Sequence, residues 1–446
     1  MNTGRTVVIG AGMAGLLTAG ALAKAGRTVI VLEQDLGESG EAPAPRPGVP
    51  QGRQPHVLLH RGLCAIEELL PGLRAQLVAA GGVPLDTGDL AWLGERGWAP
   101  FGTPAFELVS ATRPLVEHVV RERVTALPGV SLLTGARVRG LARSPSGSGW
   151  LVERADGPAV STDLVVDASG RSSRLPRWLA LLGCGEVSTS AVDARFGYAG
   201  RVYHAPPDVL GRAAGIVVLP TRELPAGGVA LPVEGGRWLV AAVGAGEHRP
   251  PRDPEEFAGF LSRLRDPALA DFTARARPLT EPAVHRRTGN MRHHYERLPH
   301  WPAGLLVTGD SLCAFNPVYG QGITVAAQQA LLLRDALAEG TGPGWERRLL
   351  RRFARAADLP WEIATGEDLG HRERDRRPRG LAGLFGRWSG EVDRLAAHGD
   401  VRAQRALDRV YHLMAAPSCL FDPRVVAAVV RGRLMGLPAP TPRPPL

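Results

Sequence analysis

The sequence predicts an α/β fold: a three-layer domain of Rossmann-like build, carrying an inserted β-sheet domain and closed by C-terminal helices. Three observations predict it. A β-branched run, a glycine-rich turn and a helical stretch open the chain and lead straight into a second β-branched run. Buried-strand patterns return much later, at 163–167 and 304–308, with a strand-rich stretch between them. Past Trp345 the composition is helical and rich in arginine. With 446 residues, 44% hydrophobic and 22% charged, the chain can bury a sizeable core, which excludes a wholly disordered chain and a coiled coil.

The first element is the strand Thr6 to Ile9, followed by Gly10-Ala-Gly12-Met-Ala-Gly15, a helix from Leu16 to Ala25 and a strand from Thr28 to Leu32. In this setting Gly10 permits the tight turn, Gly12 lets the backbone approach a pyrophosphate, and Gly15 lets helix and strand pack closely. The helix N-terminus offers its N–H groups and positive dipole end to the phosphates. Glu33, closing the second strand, is the carboxylate expected on a ribose hydroxyl. The chemistry indicated is adenine-dinucleotide binding.

From Asp35 to Pro55 the chain turns to Gly, Pro and Glu without periodicity and reads as a long loop. Leu59, Leu63, Ile66 and Leu70 predict a helix over 56–70, and Leu115, Val116, Val119, Val120 and Val124 predict another over 114–127, capped by Thr112. Short strands and turns follow over 130–154, then a buried strand at 163–167. Four β-rich segments between 187 and 280 predict an antiparallel sheet. A last buried strand at 304–308 leads through a loop to a helix over 322–338. The expected organisation is a dinucleotide-binding domain from 1–80, 105–185 and 284–340, a substrate sheet from 186–283 with about 81–104, and a helical region over 341–446.

Which dinucleotide is bound is a matter of motifs. Gly309-Asp310-Ser-Leu-Cys313-Ala-Phe-Asn316-Pro317-Val-Tyr-Gly320-Gln321-Gly322 resembles the second FAD motif of flavoprotein monooxygenases, GDAxHxxxPxxGQG. Asp163 to Arg174 resembles the same family's middle motif, and Ser110 to Leu115 the segment in which an arginine contacts the cofactor. Two further stretches, Gly48-Val-Pro-Gln-Gly52-Arg53-Gln-Pro-His56 before the first long helix and Phe315-Asn316-Pro317-Val-Tyr319-Gly320-Gln321-Gly322, resemble, within that superfamily of aromatic-hydroxylase-like fold, the squalene-epoxidase-like bacterial epoxidases of polyenes and polyketides. Two departures stand out, Ser169 for the second acidic residue of the middle motif and Cys313 for the usual histidine.

The resemblance implies FAD held by Gly10, Gly12, Gly15, Glu33, Arg113, Asp167, Gly309, Asp310, Gly320, Gln321 and Gly322. It places the Arg46 to His56 loop along the isoalloxazine, with Arg53 or Arg46 at the flavin edge, and makes Arg53, Asn316, Pro317 and Gly320 the candidate catalytic groups. The implied reaction is oxygen transfer through a flavin C4a hydroperoxide onto an alkene of an apolar polyketide or terpenoid. Dioxygen is the co-substrate, and NADPH or NADH supplies electrons, directly or through a separate flavin reductase. An aromatic (phenol) hydroxylase and an FAD-dependent reductase or saturase are the alternatives.

Other classes are set aside. The net charge of +9 is almost all arginine, Lys24 being the only lysine, and no aromatic residues interleave the basic stretch at 372–379, so nucleic acid is not expected as a partner. The four cysteines are scattered without CxxC spacing, which points to a reducing, cytoplasmic setting. His56 and His60 share a helix face, but Val57 stands where a zinc protease needs glutamate, so no metal is expected. Apart from the glycine-rich start, no stretch approaches a membrane span, and the basic helix over 425–437 is expected to pack on the core. His293 and His294 are expected at the surface.

Overall fold

The computed structural model describes residues 4–36, 43–46, 52, 55–145, 148–372 and 380–446. Its centre is a five-stranded parallel sheet of β1 (Arg5–Ile9), β2 (Thr28–Leu32), β3 (Val130–Leu133), β4 (Leu164–Asp167) and β5 (Leu305–Val307), ordered β5-β4-β1-β2-β3. Strands buried on both faces need near-continuous apolar runs, and β1, β4 and β5 are such runs. The register sets Ile9 opposite both Leu32 and Asp167, and Asp167 opposite Val307, so four strands end level. In an open α/β sheet that carboxyl edge is where ligands bind.

Helices α1 (Met13–Lys24), α2 (His60–Leu69), α3 (Arg113–Thr125) and α4 (Gly322–Glu339) pack around this sheet, α1 against both α3 and α4. Gly62 of α2 lies on Thr324 of α4, where a Cβ would come within 2.4 Å of the hydroxyl, so only glycine admits this approach. A three-stranded antiparallel sheet (Val138–Arg143, Trp150–Arg154 and Val160–Thr162) packs on β1 and β4, with Trp150 fully buried. The helix expected from residue 56 begins at His60, because Pro55–Val57 forms a strand with Glu107–Thr112.

The second layer system is a seven-stranded sheet in which Phe196–His204, Arg237–Ala245, Ala226–Val233 and Gly215–Val218 follow one another antiparallel and Leu90–Leu93 joins the end in parallel. The sheet also takes in Ala283–His285, two residues past the expected boundary. Alternation decides its two faces. Ala199, Tyr203, Val240 and Ala242 lie under the helices Pro254–Ser262 and Ala268–Ala274, which contribute Phe257, Leu261, Leu269 and Phe272. Phe196, Tyr198, Val243 and Ala245 point the other way, toward Val318 in the loop before α4.

Asn290–His293 pairs with Thr189–Val192 and Cys313–Ala314 in a small sheet between the two systems. This pairing buries His293 and His294, against the expectation of a surface position: their rings meet the Thr189 and Ser190 hydroxyls at 2.8 and 2.9 Å. The long helix Trp345–Arg372 joins the main core through Leu349, Leu350, Phe353, Ala357 and Ala364. Gly380–Ala397, Val401–Tyr411 and Pro423–Met435 form their own cluster around Val392, Ala403, Leu420 and Val425. Among the described residues no helix is long and apolar enough to cross a membrane.

Candidate functional site

The three glycines after β1 do three different things. Gly10 has φ of +99°, and a Cβ there would sit 2.6 Å from the Ala168 carbonyl oxygen. At Gly15 a Cβ would fall 1.9 Å from the Gly10 carbonyl oxygen, so this glycine closes helix onto turn. Gly12 is ordinary extended backbone at the N-cap of α1, and a Cβ there would meet nothing within 4 Å. No side chain caps this helix. Its first N–H groups and dipole therefore open onto the space that Gly12 leaves clear.

Glu33 lies beside that space, its Oε2 accepting from Ala11 N at 2.7 Å and its Oε1 from Asp35 N at 3.1 Å. Arg46, one of the two arginines expected at the flavin edge, lies here, 3.5 Å from Glu33, 3.6 Å from Asp35 and 2.7 Å from Glu117, and donates to Ala11 O. The carboxylates draw it in: a buried guanidinium needs acceptors, and this corner supplies three. Arg113, at the start of α3, bonds the other oxygen of Glu117 through Nε and Nη2, both at 2.7 Å. Burial pushes the Glu117 carboxyl up, but Arg113 and then Arg46 outweigh it and hold it below the usual range.

Asp167 ends β4 fully buried, and its carboxylate faces the protein rather than the cleft. It accepts from Ser169 N at 3.0 Å, Ser169 Oγ at 2.6 Å and Ser173 Oγ, and so braces the turn after β4. Asp167, expected among the cofactor-binding residues, thus has its carboxylate engaged by these two serines. The substitution at Ser169 has a local meaning too, since its hydroxyl is spent on Asp167. Arg171, on the same turn, donates to Gly289 O and, at 2.6 Å, to Phe315 O. After β5, Gly309 (φ +61°) lies against Ala14 of α1, and Gln329 Oε1 of α4 accepts from Gly309 N and Thr308 Oγ1, both at 2.8 Å. Asp310 is half-buried. Burial pushes its carboxyl up against the pull of Arg171 and Arg113, and Oδ1 lies 3.5 Å from the Cβ position of Gly322.

The backbone from Asn316 through Pro317 and Gly320 to Gly322 was expected to supply electrostatics at the flavin edge. In the structure the N–H and the side chain of Asn316 are bonded within the protein. Its N donates to Asn290 Oδ1 at 2.7 Å, its Oδ1 accepts from Tyr198 OH at 2.8 Å and from Val318 N at 3.2 Å, and its Nδ2 donates to Asp368 Oδ1 at 3.0 Å. Pro317 begins a short 3₁₀ turn that ends at Gly320, whose φ of +65° redirects the chain into α4. The open donors belong instead to the start of α4, which, like α1, has no side-chain cap. Among the described residues, Gln321 Oε1 and Thr324 Oγ1 are buried there without hydrogen-bond partners. Cys313, at the histidine position of the motif, is buried and its thiol pushed up by that burial, so it is chemically quiet. Arg53 lies outside the described residues.

Two uncapped helix N-termini and a carboxylate at the end of β2, with the orphaned Gln321 Oε1 at the second helix, thus line one carboxyl edge, and this set of donors and acceptors fits an elongated, doubly anionic nucleotide with a polar ring at its far end. That defines a dinucleotide-binding protein of the flavoprotein kind. Residues 4–365 match the family described as FAD binding domain, and the chain belongs to that family. It is therefore a flavoenzyme. It is 31% identical to protein Rv3254 of Mycobacterium tuberculosis, over 92% of this chain and 91% of that one. Its fold is similar to the flavin-dependent brominase Bmp2, with a TM-score of 0.65, 16% identity and coverage of 96% and 97% of the two chains. It is also similar to p-nitrophenol 4-monooxygenase PnpA from Pseudomonas putida DLL-E4, with a TM-score of 0.61, 18% identity and coverage of 97% and 98%.

Sequence reading missed the placement of Arg46 beside Glu33, and it missed Glu117, Gln329, Tyr198, Asn290 and Asp368. Glu117 carried a faint signal, a carboxylate four residues after Arg113 on a helix face that is otherwise apolar. The others come together only through contacts distant in sequence.

Proposed function

We propose that this flavoenzyme is a monooxygenase that transfers one atom of dioxygen onto a carbon–carbon double bond of an apolar polyketide or terpenoid intermediate, giving an epoxide. Bound FAD, once reduced, would supply the two electrons that activate dioxygen, whose second oxygen atom leaves as water. The protein's part is to hold, align and keep dry. In this reading α1 and Gly12 receive the pyrophosphate, Glu33 takes the ribose, and Asp310 takes the ribityl chain. Arg113 steadies this corner through Glu117, and the start of α4, entered through Gly320, Gln321 and Gly322, faces the pyrimidine edge of the flavin.

One observation carries the choice of an alkene. The wall of the sheet that meets the loop before α4 is built of Phe196, Tyr198, Val243 and Ala245 against Val318, and the carboxylate that Tyr198 reaches through Asn316, Asp368, is wholly buried and taken up by three neutral donors. A largely apolar wall whose linked carboxylate is already engaged suits an electron-rich alkene, which needs no deprotonation, better than a phenol, which does. The aromatic hydroxylase remains as a second reading because the Asp368 carboxylate and the Tyr319 hydroxyl that donates to it at 2.8 Å form a pair able to take up a proton. Electrons come from NADPH or NADH. With Ser169 turned onto Asp167, we assign their delivery to a separate flavin reductase in the cytoplasm.

The test uses reduced flavin, 18O-labelled dioxygen and a panel of apolar polyenes and phenols. One labelled oxygen in an epoxide, or in the diol or cyclic ether derived from it, supports the proposal. Label in a new phenolic hydroxyl supports the hydroxylase. A product reduced or desaturated without label refutes the monooxygenase and leaves the reductase or saturase. Asp310→Ala is expected to lose FAD and activity together, while His60→Ala keeps both.

A further inference from the structure

Asp368 stands in the helix Trp345–Arg372, beyond the region matched to the FAD-binding family, and is completely buried. Its Oδ1 accepts from Tyr319 OH at 2.8 Å and Asn316 Nδ2 at 3.0 Å, and its Oδ2 from Asn290 Nδ2 at 2.7 Å. Three separate parts of the chain meet on this carboxylate. Tyr319 and Asn316 belong to the loop before α4, Asn290 to the small sheet, and Asp368 to the C-terminal helix. Through Asn316 the chain of bonds reaches Tyr198 of the substrate sheet.

Packing alone does not explain an acid here. The helix is already fixed by buried Leu349, Leu350, Phe353, Ala357 and Ala364, and burying a carboxylate is costly unless strong hydrogen bonds compensate it. The donors, however, require an acceptor. Asn290 Oδ1 takes the Asn316 N–H, which fixes the amide so that its Nδ2 must point at Asp368. Two further donors come from the loop that turns at Gly320 into α4.

We propose that Asp368 is a positioning residue of the flavin site: from outside the FAD-binding domain it holds the loop 316–320, and with it the N-terminus of α4, at the geometry that receives the flavin, without touching the cofactor. The proposal rests on the reading that the start of α4 faces FAD. It makes FAD affinity depend on a side chain of the C-terminal helix. It also ties that affinity to the substrate sheet through Tyr198.

The experiment compares full-length wild type, Asp368→Asn, Tyr319→Phe and the exchanged pair Asn290→Asp/Asp368→Asn, reading FAD dissociation constant, visible spectrum of the bound flavin and apoprotein melting temperature. In Asp368→Asn the new amide faces another donor, so FAD affinity falls about tenfold and the flavin spectrum shifts. In the exchanged pair, residue 290 accepts from Asn316 N and from the amide at 368, whose oxygen accepts from the loop, so affinity returns to within about threefold of wild type. Tyr319→Phe, which removes one donor, weakens affinity about threefold. An Asp368→Asn protein that melts lower but binds FAD with wild-type affinity and spectrum overturns the proposal, as does an exchanged pair that folds and fails to recover affinity. Should Asp368→Asn not fold, Tyr319→Phe and the exchanged pair decide in the same way. A wild-type chain without FAD affinity would instead refute the flavin reading beneath it.

Discussion

Gly12→Val separates binding from folding within one six-residue turn. The valine Cβ would meet no atom within 4 Å, and the backbone there is extended, with φ of −74° and ψ of 179°, a conformation open to any residue. The apoprotein should therefore keep its stability to within about 1 kcal/mol, since a poorer N-cap and a less flexible unfolded chain offset each other. FAD should not tolerate the change. A branched side chain would stand where the phosphates approach the N–H groups of α1, and a loss of two to three decades in affinity corresponds to about 3 to 4 kcal/mol. Gly15→Val is the contrast: its Cβ would lie 1.9 Å from the Gly10 carbonyl oxygen, so the turn or the helix must move, at a cost of at least about 1 to 3 kcal/mol in the apoprotein itself. The assay is flavin-fluorescence titration of each stripped full-length variant beside its thermal melt without FAD. Wild-type affinity in Gly12→Val, or an apoprotein as destabilised as Gly15→Val, would refute the reasoning.

Glu117→Gln leaves two buried guanidinium groups short of charge and should destabilise the protein by about 3 to 5 kcal/mol at pH 7, measured by urea unfolding. Because the Glu117 pKa is held below its ordinary value of 4.5, its stabilisation is present above that pH and lost as pH falls through the folded value; the variant should lack this acid-dependent loss. His412 has the same direction with the roles of the charges reversed. Burial, then the neighbouring His60, lowers its pKa from 6.5 to about 4, while its Nδ1 accepts the first N–H of α2. The unfolded chain takes up that proton near pH 6.5 and the folded chain does not, so stability falls between pH 6.5 and about 4, and melts of His412→Leu should show a flatter profile there. Gln329→Leu removes the acceptor shared by Thr308 and Gly309 and should cost about 1 to 3 kcal/mol, with FAD affinity falling as the turn after β5 loosens.

What the sequence determined by itself was local. Apolar runs at β1, β2, β4 and β5 specify strands buried on both faces, and the spacing of Gly10, Gly12 and Gly15 between a strand and a helix specifies a nucleotide turn, because each rests on backbone geometry within a few residues. Glu33 and Asp310 were legible for the same reason, since a strand end fixes where the next carboxylate stands. Only the tertiary structure decided the fate of the polar groups. Arg46 went to Glu33 and Glu117, Asp167 turned inward onto Ser169 and Ser173, and Asn316 was consumed by Tyr198, Asn290 and Asp368. Hydrophobic periodicity reports which face of an element is buried, but a buried charge or amide takes whichever partner the folded chain brings within about 3 Å, and that partner has no fixed distance along the sequence.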